Sequence, residues 1–132
     1  MVEFPDMTFG KIRHVEHWEH AREQGKHAAK VMTGNYEPYT AIPFFFSDVF
    51  DVSYEYFGDN ENATDILNRG DVKTGDFSTW WFNENRPIAA FVMSTRPKEE
   101  REMAGKWIRN KINIDKDKFK NTEKDLKEME LN

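Results

Sequence analysis

Four strand-like segments that follow one another constrain the fold of this 132-residue chain more than any other feature. The segments are residues 52–57, 66–72, 77–82 and 88–93. Turn-forming Gly, Asn and Asp residues separate the last three segments, at positions 73–76 and 83–87. Strands joined by such short turns run antiparallel. The sequence therefore predicts an antiparallel meander.

Helical periodicity flanks this meander on both sides. Residues 15–33 repeat apolar or small residues at steps of three and four, and Gly34 supplies a stop. A second helix is predicted after Pro97, with acidic residues in its first turn, and a third over residues 117–129. We therefore expect an α+β fold: an antiparallel β-sheet of about four to five strands with an N-terminal helix and two C-terminal helices.

The first predicted helix carries unusually small residues along the middle of its apolar face. They are Ala21, Gly25, Ala28 and Ala29. An interior glycine costs a helix about 1 kcal/mol relative to alanine, so Gly25 indicates that another backbone packs closely here. We expect this face to require a partner, which is either another part of the protein or a second copy of the chain.

The composition excludes several kinds of chemistry. The chain has no cysteine, which excludes disulfides, thiol nucleophiles, thiolate-held iron–sulfur clusters and the usual structural zinc sites. It contains no G-x-G-x-x-G, G-x-x-x-x-G-K-[ST], G-x-S-x-G or H-E-x-x-H motif, so it has no phosphate-binding loop of its own. Any redox chemistry would therefore need a borrowed cofactor.

Charge and hydropathy bear on partners and location. The formal net charge of −5 argues against nucleic acid as a partner, since phosphates are bound through clustered Lys and Arg. No apolar run approaches the roughly 18 residues that a membrane span needs, and residues 1–6 lack the features of a signal peptide. We therefore expect a cytoplasmic chain without a membrane span.

One stripe of the first helix combines carboxylates and imidazoles. It comprises Glu16, His20, Glu23 and His27. Such a stripe could contribute ligands to a divalent metal, but one helix rarely completes a coordination sphere. A solvated helix face with Glu–His pairs is the favoured interpretation.

Aromatic residues are abundant, and packing is their simplest interpretation. Trp18 and the three phenylalanines at 44–46 are predicted to lie in the core. Trp80 and Trp81 point to opposite faces of a strand, so one belongs in the core and the other is exposed or at an interface.

Taken in order, these residues carry a resemblance to one enzyme family. The strings are Val15-Glu16-His17-Trp18, Ala21-Arg22-Glu23-Gln24-Gly25, Ala28-Ala29, Pro43-Phe44-Phe45-Phe46-Ser47-Asp48, Asp51-Val52-Ser53-Tyr54-Glu55 and Phe57-Gly58. They resemble the C-terminal part of the FAD-dependent pyridine-nucleotide oxidoreductases, which include rubredoxin, putidaredoxin and ferredoxin reductases and apoptosis-inducing factor. The resemblance continues from Arg69-Gly70-Asp71 to the helix after Pro97 and covers nearly the whole chain.

The resemblance implies a domain layout. In that family two Rossmann-like domains, for FAD and NAD(P)H, precede a C-terminal interface domain with an antiparallel sheet and flanking helices. Residues 1–34 resemble the end of the FAD domain with its return helix, and residues 35–132 resemble the interface domain. The chain is therefore expected to lack both nucleotide-binding folds and to bind neither cofactor alone.

The resemblance also implies five cofactor-facing residues. Glu16 and His17 match family residues near the nicotinamide, and His17 with Trp18 match those that meet the isoalloxazine ring. Phe46 stands where the family has a tryptophan over the nucleotide–flavin pocket, so it keeps an aromatic face and loses the indole N–H donor. Glu55 matches an acidic residue on the nicotinamide side. No catalytic residue and no metal ligand is implied.

Two hypotheses from different classes remain. In the first, the chain supplies the interface domain and one wall of the flavin site to FAD- and NAD-binding domains, with a homodimer and a redox-protein acceptor as further expected partners. It would then be silent alone. In the second, it is a free-standing module that uses its aromatic sheet to dimerise or to dock a redox partner. Restored NAD(P)H oxidation on mixing with the nucleotide-binding domains distinguishes the two.

Overall fold

The computed structural model describes residues 3–131 as two antiparallel β-sheets with three α-helices. The strands are Phe4–Asp6 (β1), Lys11–Arg13 (β2), Phe44–Val49 (β3), Val52–Gly58 (β4), Asp65–Asp71 (β5), Asp76–Asn83 (β6) and Arg86–Met93 (β7). The helices are Trp18–Met32 (α1), Lys98–Asn110 (α2) and the four-residue Lys116–Phe119 (α3), and a 3₁₀ turn follows at Leu126–Met129. The predicted α+β class is confirmed.

The larger sheet contains five strands in the order β3-β4-β7-β6-β5. All neighbours are antiparallel, as the short turns require. The chain crosses from β4 to the far edge at β5 and returns through β6 and β7 to pair β7 with β4. This return places residues 52–58 and 86–93 at the centre of the sheet, where they position the candidate site.

One face of this sheet is covered by α2 and by the segment after it. The core on this side consists of Ile42, Phe57, Trp80, Phe82, Ala90, Val92, Met103, Ala104, Trp107, Ile108, Ile114, Phe119, Leu126 and Met129. Trp80 is fully buried there, whereas Trp81 is half-buried on the opposite face, which confirms the interpretation of this pair. The Trp80 indole donates a hydrogen bond of 2.9 Å to the Ser78 hydroxyl.

No α-helix among residues 3–131 covers the other face of the sheet, which we call the open face. Between the strand ends it presents Phe45, Ser47, Val49, Val52, Tyr54, Tyr56, Gly58, Ala89, Phe91, Met93, Phe77, Thr79, Trp81, Ile66, Asn68 and Gly70. None of these residues is charged, although a third of the chain (33%) is Asp, Glu, Lys or Arg. The residues on a solvated sheet face are normally polar, so this composition is typical of a face that a partner covers.

The prediction of one helix over residues 117–129 is wrong. The guanidinium of Arg69, on β5, is buried against this segment. It donates hydrogen bonds to four of the segment's main-chain carbonyls. The acceptors are Phe119 (2.7 Å), Asn121 (2.7 Å), Thr122 (3.1 Å) and Lys124 (3.1 Å). These four carbonyls are turned towards one side chain and do not point along a common helix axis, so α3 ends at Phe119.

The lead-in before α1 pairs with itself rather than with the large sheet. β1 and β2 form a hairpin in which Phe4 lies opposite Arg13. The Asp6 carboxylate shapes its turn, accepting hydrogen bonds from the backbone N–H groups of Thr8 (2.9 Å) and Phe9 (3.1 Å).

Helix α1 turns most of its predicted inward face to solvent. Ala21, Gly25, Ala28 and Ala29 are all exposed, and His20 is the one buried residue of the helix. The expectation that Trp18 lies in the core is wrong, since its side chain is 70% exposed. Nothing in residues 3–131 packs closely on this stripe of small residues. No helix among them is both long and apolar enough to cross a membrane.

Candidate functional site

His17 is the best-positioned of the five predicted site residues. It is the N-cap of α1 in an extended backbone conformation (φ −91°, ψ 141°), and its side chain makes no capping hydrogen bond. The imidazole instead stacks on the Phe45 ring, with centroids 4.6 Å apart and planes inclined by 21°. Because Phe45 belongs to the open face, His17 lies at the edge of that face.

Glu16 and Trp18 flank His17 and are both exposed. A Glu16 carboxylate oxygen lies 3.5 Å from Nε2 of His14. The Trp18 ring is covered on one side by the Arg22 guanidinium, 5.2 Å from its centroid. These side chains have few protein contacts that would hold them, so the structure leaves them accessible to a partner.

Phe46 and Glu55 lie together on the opposite side of the sheet. They are directly paired residues of β3 and β4. Phe46 is 57% exposed, so the expectation that all three neighbouring phenylalanines are core is wrong, while Phe44 and Phe45 are half-buried. A Glu55 carboxylate oxygen lies 3.8 Å from Nε of Arg101 on α2. The five predicted residues thus form two groups, because Phe45 and Phe46 alternate across β3.

A hollow of about 280 Å³ lies beside His17. It is lined by Arg13, His14, Val15, Glu16, His17, Pro43, Phe45, Tyr56, Gly58 and Asp59. One wall consists of three rings, since Tyr56 stacks on the other side of Phe45 at 5.1 Å and 22°. Burial raises the pKa of the Tyr56 hydroxyl, so this ring stays neutral at ordinary pH.

Charged residues at the base of the hollow were missed by the sequence analysis. Nε of Arg13 donates a 2.7 Å hydrogen bond to the Asp6 carboxylate, and Nη1 of Arg13 lies 2.7 Å from Oδ2 of Asp59. Nζ of Lys11 lies 2.6 Å from the same Asp59 oxygen. Burial favours a raised pKa for Asp59, but hydrogen bonds from Lys11, the Glu61 backbone and Arg13 outweigh it and lower the pKa. Asp59 therefore stays ionised and anchors the strand that leads to His17.

The Arg13 guanidinium is only partly satisfied by these carboxylates. Its Nη2 is buried and has no hydrogen-bond partner among residues 3–131. A buried donor without an acceptor is uncommon in proteins. The signal that could have found Arg13 in the sequence is its place two residues before Val15, where the string that carries the family resemblance begins.

His20 lies beneath this site in a cage of aromatic rings. It is 3% exposed and contacts Phe4 (centroids 4.9 Å) and Tyr39 (5.5 Å). Neither His20 Nε2 nor the Tyr39 hydroxyl has a hydrogen-bond partner in the described part of the chain. His20 is thus packed against aromatic carbon atoms. Among residues 3–131 no group of three or more His, Asp or Glu side chains is arranged to hold a metal ion.

Acidification is expected to loosen α1. Burial lowers the pKa of His20 below its ordinary value of 6.5, and the Arg13 and His17 charges lower it further while Asp6 opposes them. The unfolded chain then binds the proton more readily than the folded chain. The stability that neutral His20 contributes is therefore fully present above a pH of about 6.5 and is lost as the pH falls towards the pKa of His20 in the folded chain. Amide hydrogen exchange along α1 should accelerate over that range.

Two histidine variants, one at a buried and one at an exposed position, test this pH effect. His20→Phe keeps an aromatic ring in the cage and should abolish the pH dependence of α1 protection. His14→Gln removes an exposed imidazole and should leave it unchanged. An acid-induced loosening that persists in His20→Phe would contradict the assignment.

Solved structures with the same fold come from redox enzymes. A putidaredoxin reductase in covalent complex with putidaredoxin matches with a TM-score of 0.86 and 21% identity, covering 96% of this chain and 30% of that one. A ferredoxin reductase from Rhodopseudomonas palustris matches with a TM-score of 0.85 and 23% identity, covering 95% of this chain and 30% of that one. The fold is that of a C-terminal domain in the FAD-dependent pyridine-nucleotide oxidoreductases.

The sequence places the chain more narrowly. Residues 42–127 match the model of the monodehydroascorbate reductase 3-like C-terminal domain, and the chain belongs to that family. A monodehydroascorbate reductase of Pisum sativum is 32% identical over 108 residues, and one of Solanum lycopersicum is 30% identical over 108 residues. Each alignment covers 76% of this chain and 25% of the relative, so the chain spans about a quarter of these relatives' length.

Proposed function

We propose that this chain acts as the C-terminal domain of an NAD(P)H-dependent FAD oxidoreductase and supplies one wall of its flavin and nicotinamide site. The observation that carries the proposal is the His17–Phe45–Tyr56 stack beside a hollow, at the edge of an uncharged aromatic sheet face. The chain contains no phosphate-binding loop, so we further propose that it is inactive until FAD- and NAD-binding domains cover that face.

The residues around the hollow fit a planar ring system. The rings of His17, Phe45 and Tyr56 form one wall, and charged side chains such as Arg13 and Asp59 line the rest of the hollow. FAD would supply hydride-transfer chemistry between NAD(P)H and an electron acceptor. The part of His17, Phe45 and Tyr56 is to exclude water from the ring. Glu16 and Trp18, both exposed, extend this wall.

Phe46 and Glu55 have a separate place in the proposal. Phe46 offers an exposed aromatic face without an N–H donor, so its contribution is stacking and not hydrogen bonding. Glu55 lies beside α2, with a carboxylate oxygen 3.8 Å from Nε of Arg101. We propose that this second group meets the nicotinamide side once the nucleotide-binding domains are in place.

The electron acceptor is proposed from the relatives. Their name makes monodehydroascorbate the first candidate, and the complex of the structural neighbour with putidaredoxin makes a small redox protein the second.

The test is reconstitution with a nucleotide-binding fragment. The chain is mixed with an FAD-loaded form of the Pisum sativum relative that lacks its C-terminal quarter, and complex formation and NADH oxidation are measured. We expect a complex and restored oxidation, with His17→Ala reducing the rate and His27→Ala, outside the hollow, leaving it unchanged. Absence of both complex and oxidation would refute the proposal.

A second candidate function is a free-standing dimerisation or docking module. The uncharged open face and the exposed stripe of small residues on α1 favour it, since both are surfaces that a partner normally covers. Light scattering distinguishes the candidates. A stable dimer that does not dissociate when the nucleotide-binding fragment is added supports the module, whereas exchange into a complex with the fragment supports the enzyme domain.

A further inference from the structure

We propose that Phe45 is the positioning residue for His17, fixing the orientation of the imidazole at the edge of the hollow. Neither the family resemblance nor the comparisons assign Phe45 a role. The orientation of the His17 ring depends only on residues of this chain and needs no cofactor or partner domain. Its consequence for nicotinamide and flavin chemistry rests on the function proposed above.

The geometry that carries this inference is a continuous stack of rings. Phe45 contacts both His17 (4.6 Å, 21°) and Tyr56 (5.1 Å, 22°), and it is stacked with each of them. Trp81 closes the series, with its centroid 5.9 Å from that of Tyr56. Stacked arrangements at these separations are the preferred geometry of aromatic pairs. Phe45 is therefore fixed from behind and presents one flat face to His17.

The backbone around His17 leaves the orientation of its ring to this contact. Arg13 is tied by ion pairs to Asp6 and Asp59, which fixes the chain four residues earlier. Trp18 begins α1, which fixes the chain directly afterwards. The side chain of His17 makes no capping hydrogen bond, so neither end of the segment determines its rotamer.

Alternation along β3 makes Phe45 the only phenylalanine of its block that can serve. Phe44 and Phe46 point to the covered side of the sheet, Phe44 against Phe57 and Phe46 beside Glu55. This explains why three successive phenylalanines occur here. Each has a different task, and the middle one faces the imidazole.

Nuclear magnetic resonance of the whole chain tests the orientation without any cofactor. A ring stacked on His17 shifts the carbon-bound imidazole proton resonances through its ring current. We expect this shift to disappear in Phe45→Leu and to be retained in Phe45→Tyr, which keeps the ring. Phe77→Leu is the matched control, because Phe77 lies on the same open face and contacts Phe91 instead. Unchanged His17 resonances in Phe45→Leu would overturn the inference.

Reconstitution tests the consequence. In the complex with the nucleotide-binding fragment, Phe45→Leu should lower kcat by about tenfold with little change in KM for NADH, because a misplaced group costs rate more than ground-state binding. Phe45→Tyr should restore kcat, and Phe44→Leu, on the covered side of the same strand, should leave it unchanged. An equal loss in both leucine variants would mean a merely structural effect and would overturn the positioning role. If the unmodified chain forms no complex, the proposed function fails, and the resonance of His17 still decides the orientation.

Discussion

Replacing Arg69 by methionine is expected to reduce the free energy of unfolding by about 3–5 kcal/mol, the usual cost of breaking a buried ion pair. Arg69 is 4% exposed and donates through Nε to Glu100 (3.1 Å). Glu100 is also buried and retains Arg96 and Ser78 as partners, so its charge is not left wholly alone. The larger part of the loss arises where four carbonyls of the C-terminal segment lose their donor.

Urea unfolding measures this loss, followed by the fluorescence of the buried tryptophans Trp80 and Trp107. The matched control is Lys98→Ala, which breaks an exposed pair with Glu102 on α2 and should cost no more than about 0.5 kcal/mol. An Arg69→Met variant as stable as this control would show that the C-terminal segment is held by apolar contacts alone.

The sequence predicted the part of the sheet from β5 to β7 because its signals are local, whereas the expected meander is wrong at β4, which pairs with β7 and not with β5. The turns at residues 73–76 and 83–87 fix which strands are neighbours, and alternation assigns Trp80 and Trp81 to opposite faces. Residues 117–129 were mispredicted for the opposite reason. Their conformation depends on Arg69, more than forty residues earlier in the chain. Periodicity within the segment carries no information about that contact.

The candidate site was predictable only in part. The resemblance found His17 and Trp18, and Trp18 was nevertheless expected in the core because a lone tryptophan on a helix usually packs there. The residues that hold His17 were missed. Phe45 was interpreted as one of three equivalent core aromatics, and Arg13 was not singled out. Both roles arise from tertiary pairing, of β3 with β4 and of β1 with β2.

The exposed surfaces follow the same logic. An isolated domain would bury the small residues of α1 or replace them by polar ones, because an exposed helix face gains nothing from glycine. This chain does neither, and it also keeps its open sheet face free of charge. Both features agree with a chain that covers only a quarter of the relatives' length. Both surfaces therefore support the proposal that a partner covers them.

Phe119→Ala is the second change expected to have a large effect, reducing the free energy of unfolding by about 3–5 kcal/mol. Phe119 is fully buried, and its ring contacts Trp80 (centroids 5.2 Å), Phe82 (5.7 Å) and Trp107 (6.5 Å). Phe50→Ala is the matched control, since Phe50 is 100% exposed at a hairpin tip and should change stability by less than about 0.5 kcal/mol.

Arg69 and Phe119 hold the same segment, so their effects should not add. The Arg69 guanidinium lies 5.6 Å from the Phe119 ring and donates to the Phe119 carbonyl at 2.7 Å. Once either residue is removed the segment is already loosened, and the second substitution has less left to break. A double-mutant cycle should therefore give a total loss smaller than the sum by about 0.5–3 kcal/mol. Strict additivity would instead show that the polar and apolar anchors hold the C-terminal segment independently.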